Sequence, residues 1–149
     1  MSGVAGYVFT GEYRHAVDDK GRLAVPARFR AQLDGGCVVA RWLDTCLAIF
    51  PMAAWEELAA KVGSLPMTDP NARLLQRQLF AGAFETEIDK QGRVLVPQGL
   101  RGFAGLESEA LVLGSRDHAE IWEPKRWDQY SEALEDPTAF AAAIAGLGI

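Results

Sequence analysis

Val17-Asp18-Asp19-Lys20-Gly21-Arg22-Leu23-Ala24-Val25-Pro26 is the stretch on which the fold turns, because Ile88-Asp89-Lys90-Gln91-Gly92-Arg93-Val94-Leu95-Val96-Pro97 repeats it. An internal repeat of this kind means that one supersecondary unit has been used twice. Outward from the two runs, Arg30 falls opposite Arg101, and Phe9 and Gly11 fall opposite Phe80 and Gly82. After one added residue the register resumes, with Leu47-Ala48-Ile49-Phe50 opposite Ala119-Glu120-Ile121-Trp122 and Trp55 opposite Trp127. The unit therefore spans roughly 12–58 and again 83–130.

Within a unit the pattern predicts strand, tight turn, strand, short helix, two more strands and a helix. Glu12 to Val17 alternates and runs into Asp-x-x-Gly, while Arg22 to Val25 is apolar and is halted by Pro26. Asp18-Asp19-Lys20-Gly21 reads as a hairpin connection, with Gly21 supplying the positive φ. Pro26 and Pro97 suit the first turn of a short helix that turns Phe29 and Leu33, or Leu100 and Phe103, inward. Cys37 to Trp42 and Leu47 to Phe50 form a strand pair, as do Ala110 to Gly114 and Ala119 to Trp122. Pro51 and Pro124 open helices whose inner stripes are Trp55, Leu58 and Val62, and Trp127, Tyr130 and Leu134. Between the units, Thr68-Asp69-Pro70 starts a capped helix with Leu74, Leu75 and Leu79 on its apolar face.

The fold class is thus α+β, a tandem pseudo-twofold repeat of a small β-hairpin/helix module with connecting and flanking helices. The first module covers 12–54, the connecting helices 55–82, the second module 83–126, and a C-terminal helix and tail 127–149. Each module is too small to bury an adequate core alone, so the two should form one body. The Ala-rich tail from Thr138 to Ile149 either docks on a neighbouring subunit or is disordered.

Composition narrows the function. The chain of 149 residues is 49% hydrophobic and 23% charged, an ordinary globular balance. It lacks an apolar run of membrane-spanning length, roughly 18 residues, and Met1 to Thr10 lacks the form of a secretory signal, which predicts a cytoplasmic protein with no membrane partner. Cys37 and Cys46 lack zinc-site spacing and read as buried small hydrophobes. The formal charge is −5, which by itself disfavours a polyanionic partner. Its distribution reverses that inference locally: between Arg14 and Arg41 lie six basic residues, Arg14, Lys20, Arg22, Arg28, Arg30 and Arg41, against Asp18, Asp19 and Asp34.

The repeated Asp-x-x-Gly-Arg turn carries the chemistry. The Asp can accept from loop amides or pair with the Arg four positions on, and a guanidinium donates two parallel hydrogen bonds to phosphate or guanine. A salt bridge that only fastens the hairpin is the alternative, and it would be the better reading of a single copy. Two copies, joined by Arg30 and Arg101, favour ligand contact. No nucleophile with a base, metal cluster or phosphate loop is legible, so the sequence does not describe an enzyme, a cofactor or a small-molecule substrate. His15 and His118 read as surface or hairpin side chains, and Trp42, Trp55, Trp122 and Trp127 as core.

With these motifs in place, the chain resembles the MraZ family of bacterial regulators, whose two SpoVT/AbrB-type modules each carry an Asp-x-x-x-Arg motif. The resemblance rests on Gly11-Glu12-Tyr13-Arg14-His15, on the two repeated turns, on Phe50-Pro51-Met52-Ala53-Ala54-Trp55-Glu56, on Leu65-Pro66-Met67-Thr68-Asp69-Pro70 and on Glu120-Ile121-Trp122. It runs from about residue 8 to about 134, leaving Met1 to Tyr7 as an N-terminal extension and the Ala-rich tail outside. It implies a swapped-hairpin β-barrel made by the two halves, ring-shaped homo-oligomers, and a nucleoid-associated repressor that binds short direct repeats in double-stranded DNA upstream of its own division and cell-wall gene cluster. Carried onto this sequence, Arg22 and Arg93 are the residues at DNA. Asp18 with Gly21, and Asp89 with Gly92, set their loops.

Arg14, Lys20, Arg30 and Arg101 add charge, and because Glu85 and Gln91 replace Arg14 and Lys20 in the second unit, the first module should dominate contact. A protein-interaction scaffold with incidental DNA binding is the alternative, favoured by the acidic total. An antitoxin-like regulator is disfavoured, since such proteins usually have one module and a partner-binding tail.

Overall fold

The computed structural model describes residue 6 and residues 8–148. Apart from Gly6, the extension expected over Met1 to Tyr7 lies outside the described residues. In chain order come β1 (Glu12–Ala16), β2 (Arg22–Ala24), α1 (Ala27–Leu33), β3 (Cys37–Arg41), a 3-10 turn (Leu43–Thr45), β4 (Leu47–Pro51) and α2 (Met52–Gly63). The connecting helix α3 (Pro70–Ala81) leads into β5 (Phe84–Thr86), β6 (Arg93–Leu95), α4 (Gln98–Ala104), β7 (Glu109–Gly114), β8 (Ala119–Trp122), α5 (Pro124–Leu134) and α6 (Pro137–Gly146).

Two sheets organise these elements. Six antiparallel strands lie in the order β1-β7-β8-β4-β3-β5, and β2 pairs with β6 as a separate two-stranded ribbon. The hairpins β3–β4 and β7–β8 stay within their own halves and meet where β4 pairs β8. The first strand of each half crosses over: β1 pairs β7, and β5 pairs β3. The pairing is therefore reciprocal between halves. The six-stranded ladder is open, with β1 and β5 at its edges, and strand hydrogen bonds do not close it into a barrel.

This exchange explains why neither half needs its own core. Phe9, Val17, Leu23, Phe29 and Leu33 from the first half and Val94, Val96, Leu100 and Ala104 from the second share one buried cluster between the ribbon, α1, α4 and the inner sheet face. Along β3 the side chains alternate: Cys37 and Val39 enter that cluster, while Val38 and Ala40 enter a second one under α2 and α3. Burial on both faces produces a continuous apolar run rather than a polar alternation. Both cysteines are free and buried. Pro26 and Pro97 stand at the N-cap, one residue ahead of the helices. Their fixed φ ends the ribbon and aims the chain into the helix.

Several expectations need correction. On α3, Asp69 does cap by accepting from the Asn71 amide, but Leu74 and Leu75 are 67% and 43% exposed, and Ala72 and Leu79 make the inner face. Tyr130 and Leu134 are likewise exposed, at 42% and 52%, although one face of Tyr130 still packs against Trp122 and Trp127. His118 is buried, stacked on Phe50 at 4.9 Å and edge-on to Trp42 at 5.3 Å. Its Nδ1 lies 2.7 Å from Asp117 Oδ1, so the hairpin turns the imidazole inward rather than to the surface. Of the tail, Pro137 to Gly146 is helical, started by Asp136 accepting from the Thr138 amide, and none of its residues is buried.

Candidate nucleic-acid interface

Each repeated turn is built around its aspartate. Asp18 Oδ1 accepts from the amides of Lys20 (3.0 Å) and Arg22 (2.8 Å), while Oδ2 accepts from Arg22 Nε at 2.7 Å. Asp89 repeats the set with the amides of Gln91 and Arg93, both 2.9 Å, and with Arg93 Nε at 3.2 Å. These bonds favour the charged carboxylate, the Arg22 amide foremost for Asp18 and the Arg93 amide foremost for Asp89, and both carboxyls are held below the usual aspartate value. Gly21 (φ 85°) and Gly92 (φ 78°) close the turns in the left-handed region that side-chain-bearing residues avoid.

The ribbon brings the two turns together. Its register sets Arg22 opposite Leu95 and Ala24 opposite Arg93, so the two arginines lie diagonally across it. Backbone bonds lock the turns to the opposite strand, from the Val25 amide to Gly92 O (2.9 Å) and from the Val96 amide to Gly21 O (2.8 Å). Arg93 Nη1 also reaches Asp18 Oδ2 at 3.6 Å, so one arginine joins both aspartates.

Arg30 and Arg101 buttress these turns. Arg30 Nε donates to Val25 O and Arg101 Nε to Val96 O, both at 2.9 Å. Each then packs against the glycine of the opposite turn. A β-carbon on Gly21 would stand 2.7 Å from Arg101 Nε, and one on Gly92 would collide with the Arg30 guanidinium. The sequence places Arg30 and Arg101 with the DNA-contacting residues; their fastening of the opposite turn depends on packing between the halves. For Arg22, Arg30 and Arg101 the hydrogen bonds among the described residues use Nε, leaving the terminal nitrogens of the fork to donate outward.

The remaining candidates separate. Lys20 is exposed at the tip of the first turn. Lys90, not singled out from the sequence, is exposed at the tip of the second, one position earlier than the repeat register would put it. Comparing the whole tip, Asp19-Lys20 against Lys90-Gln91, would have found it. Arg14 is elsewhere: it lies 3.7 Å from Glu109 in a groove on the β1–β7–α5 side, with Glu107, Glu123 and Asp128 in the lining. Among the described residues no group of three or more His, Cys, Asp or Glu side chains could hold a metal, and no helix is long and apolar enough to cross a membrane.

Comparison with known proteins adds the family context. The family model described as "MraZ protein, putative antitoxin-like" matches twice, over residues 8–78 and 79–145. The second match reaches past 134 and takes in most of the tail, which the sequence reading had left outside. A protein from Roseiflexus sp. (strain RS-1) is 49% identical over 141 residues, 94% of this chain and 99% of the relative. One from Thermomicrobium roseum is 50% identical over 127 residues, covering 85% and 89%, and one from Halothermothrix orenii is 44% identical over 143 residues, covering 95% and 100%. All three carry the name "Transcriptional regulator MraZ".

Proposed function

The chain belongs to the MraZ family, and from that membership we propose that it is a sequence-specific DNA-binding transcriptional regulator and not an enzyme. The observation that carries the reading is the paired turn: two arginines held at Nε by their own aspartates, side by side on a two-stranded ribbon. A two-stranded ribbon fits the major groove, where an arginine fork can address guanine edges. Lys20, Lys90, Arg30 and Arg101 supply phosphate contacts that set position. The finer reading is a cytoplasmic, nucleoid-associated repressor of its own division and cell-wall gene cluster. In it, the modules over 12–54 and 83–126 exchange hairpins in a barrel-like core and the chains assemble as a ring on direct repeats.

The test is binding to DNA from upstream of its own gene across a salt series, beside an Arg22→Ala/Arg93→Ala variant checked for folding. Wild type should prefer that DNA over a scrambled duplex. The variant should lose that preference, by about 1–3 kcal/mol for each lost base contact. Absence of preference at every salt concentration refutes the reading. Salt-insensitive capture of a protein instead of DNA would support the scaffold that the charge of −5 also suits.

A further inference from the structure

The outward face of the ribbon carries one residue that neither the turns nor the core explains. Successive side chains of a strand point to opposite faces, and the middle residues of β2 and β6, Leu23 and Val94, are buried. Arg22 and Ala24 therefore share the outward face with Arg93 and Leu95. Leu95 is 41% exposed there. A single exposed leucine on an ordinary surface needs no account. This one stands on the face where two arginines and a lysine at each tip gather positive charge. Its counterpart in the first half is Ala24, so the repeat is broken at this place.

The register fixes what Leu95 stands beside. It pairs directly with Arg22, as Ala24 pairs with Arg93. Directly opposed residues in an antiparallel pair have β-carbons about 5 Å apart. Base pairs of B-DNA follow one another at about 3.4 Å, so a leucine opposite an arginine that addresses a base edge reaches the adjoining base pair. The bonds from the Val25 amide to Gly92 O and from the Val96 amide to Gly21 O hold the ribbon in this register. In the major groove the base edges present hydrogen-bonding groups, and the one apolar group among them is the C5-methyl of thymine. Leu95 against a polar edge would strip water from groups it cannot bond, whereas against that methyl it removes apolar surface on both sides.

We propose that Leu95 is a specificity-determining residue that contacts the C5-methyl group of a thymine next to the base addressed by Arg22. The inference rests on the DNA-binding reading above and deepens it. Ala24, with a single methyl, falls short of making the same contact beside Arg93. The two ends of the ribbon thus make different demands on sequence despite the repeat.

Replacing thymine by deoxyuridine in the upstream DNA tests the contact, because it removes only the methyl group. Each thymine position is replaced in turn, in all repeats together, and binding is compared for wild type, Leu95→Ala and Leu95→Val. Leu95 is exposed, so circular dichroism should show an unchanged fold. At one position wild type should bind the deoxyuridine duplex about three- to fivefold more weakly, the effect of withdrawing one methyl group from apolar contact. Leu95→Ala should bind both duplexes alike, and Leu95→Val should keep part of the difference. That thymine should adjoin a guanine whose 7-deaza replacement weakens wild type but not Arg22→Ala. Wild type that tolerates deoxyuridine at every position overturns the contact. So does a penalty that Leu95→Ala shares in full, since the methyl then acts through DNA shape. In both cases a retained preference for upstream over scrambled DNA leaves the regulator standing. Wild type without that preference sinks the regulator, and the contact falls with it.

Discussion

Alanine at Gly92 tests the reciprocal packing of the two turns. Gly92 sits at φ 78°, where a side-chain-bearing residue costs about 1–2 kcal/mol. Its new methyl would meet the Arg30 guanidinium, which must leave and give up its 2.9 Å bond to Val25 O. Losing that charge-assisted bond from a part-exposed arginine costs about 1–2 kcal/mol, so Gly92→Ala should lose about 2–4 kcal/mol in all. Arg30→Ala alone removes only the bond. In the double variant the bond is lost once, so the combined cost should fall short of the sum by about 1–2 kcal/mol. Gly21→Ala behaves differently, because its methyl would also stand 2.8 Å from the Val96 carbonyl, a backbone atom that cannot swing away. It should cost about 1 kcal/mol more than Gly92→Ala, and Arg101→Ala should relieve less of it. Urea unfolding at one fixed protein concentration compares wild type with the four single and two double variants, since assembly would otherwise move the midpoints. Strict additivity of Gly92→Ala with Arg30→Ala would refute the packing argument.

Two further outcomes follow from ionisation. Burial pushes the Cys37 thiol up to about 11, with Glu87 adding to the rise, and pushes Cys46 higher still. Neither should react with a thiol reagent at neutral pH until urea unfolds the chain, and rapid native labelling at either would contradict their placement. Asp18 and Asp89 have depressed folded values, so what they add to stability is fully present above the ordinary 3.8 and is lost as pH falls through the lower folded value. Asp18→Asn/Asp89→Asn should therefore flatten the acid limb of a stability profile below about pH 4. An unchanged limb would mean that the turn bonds do not favour the ionised carboxylates.

The sequence was most legible where local chemistry and tertiary packing agree. Asp18 and Gly21, with their copies at 89 and 92, announce a turn on their own, and the turns close through the aspartate and glycine the pattern names. Phe29, Leu33 and Leu100 fell on the inward face of short helices and are buried. Periodicity placed Leu79 and Trp127 correctly but failed for Leu74, Leu75 and Leu134, which are exposed, and in part for Tyr130, which is 42% exposed while packed on Trp122 and Trp127. A stripe records that a helix has an apolar face; what covers the face is a matter of the neighbours. His118 failed for a related reason, since its inward position depends on Phe50 and Trp42, distant in sequence. At the candidate site the missing information was reciprocal. Arg30 belongs by sequence to the first turn and by packing to the second.

That reciprocity bears on how a chain of charge −5 could meet DNA. A turn acting alone would present one guanidinium neutralised by its own aspartate. The ribbon changes the balance by placing Arg22 and Arg93 together, shoring them with Arg30 and Arg101, and adding a lysine at each tip. Six cations then face Asp18, Asp19 and Asp89 over a few residues, while Glu107, Glu109, Glu123 and Asp128 line the groove on the β1–β7–α5 side. Because each Nε is already committed, the forks are oriented before any ligand arrives, and less side-chain freedom remains to be lost on contact. One such site would still bind weakly and with strong salt dependence. A ring of identical copies on spaced DNA repeats would turn later contacts into intramolecular ones, so that affinity would depend on effective concentration rather than on the net charge of the chain.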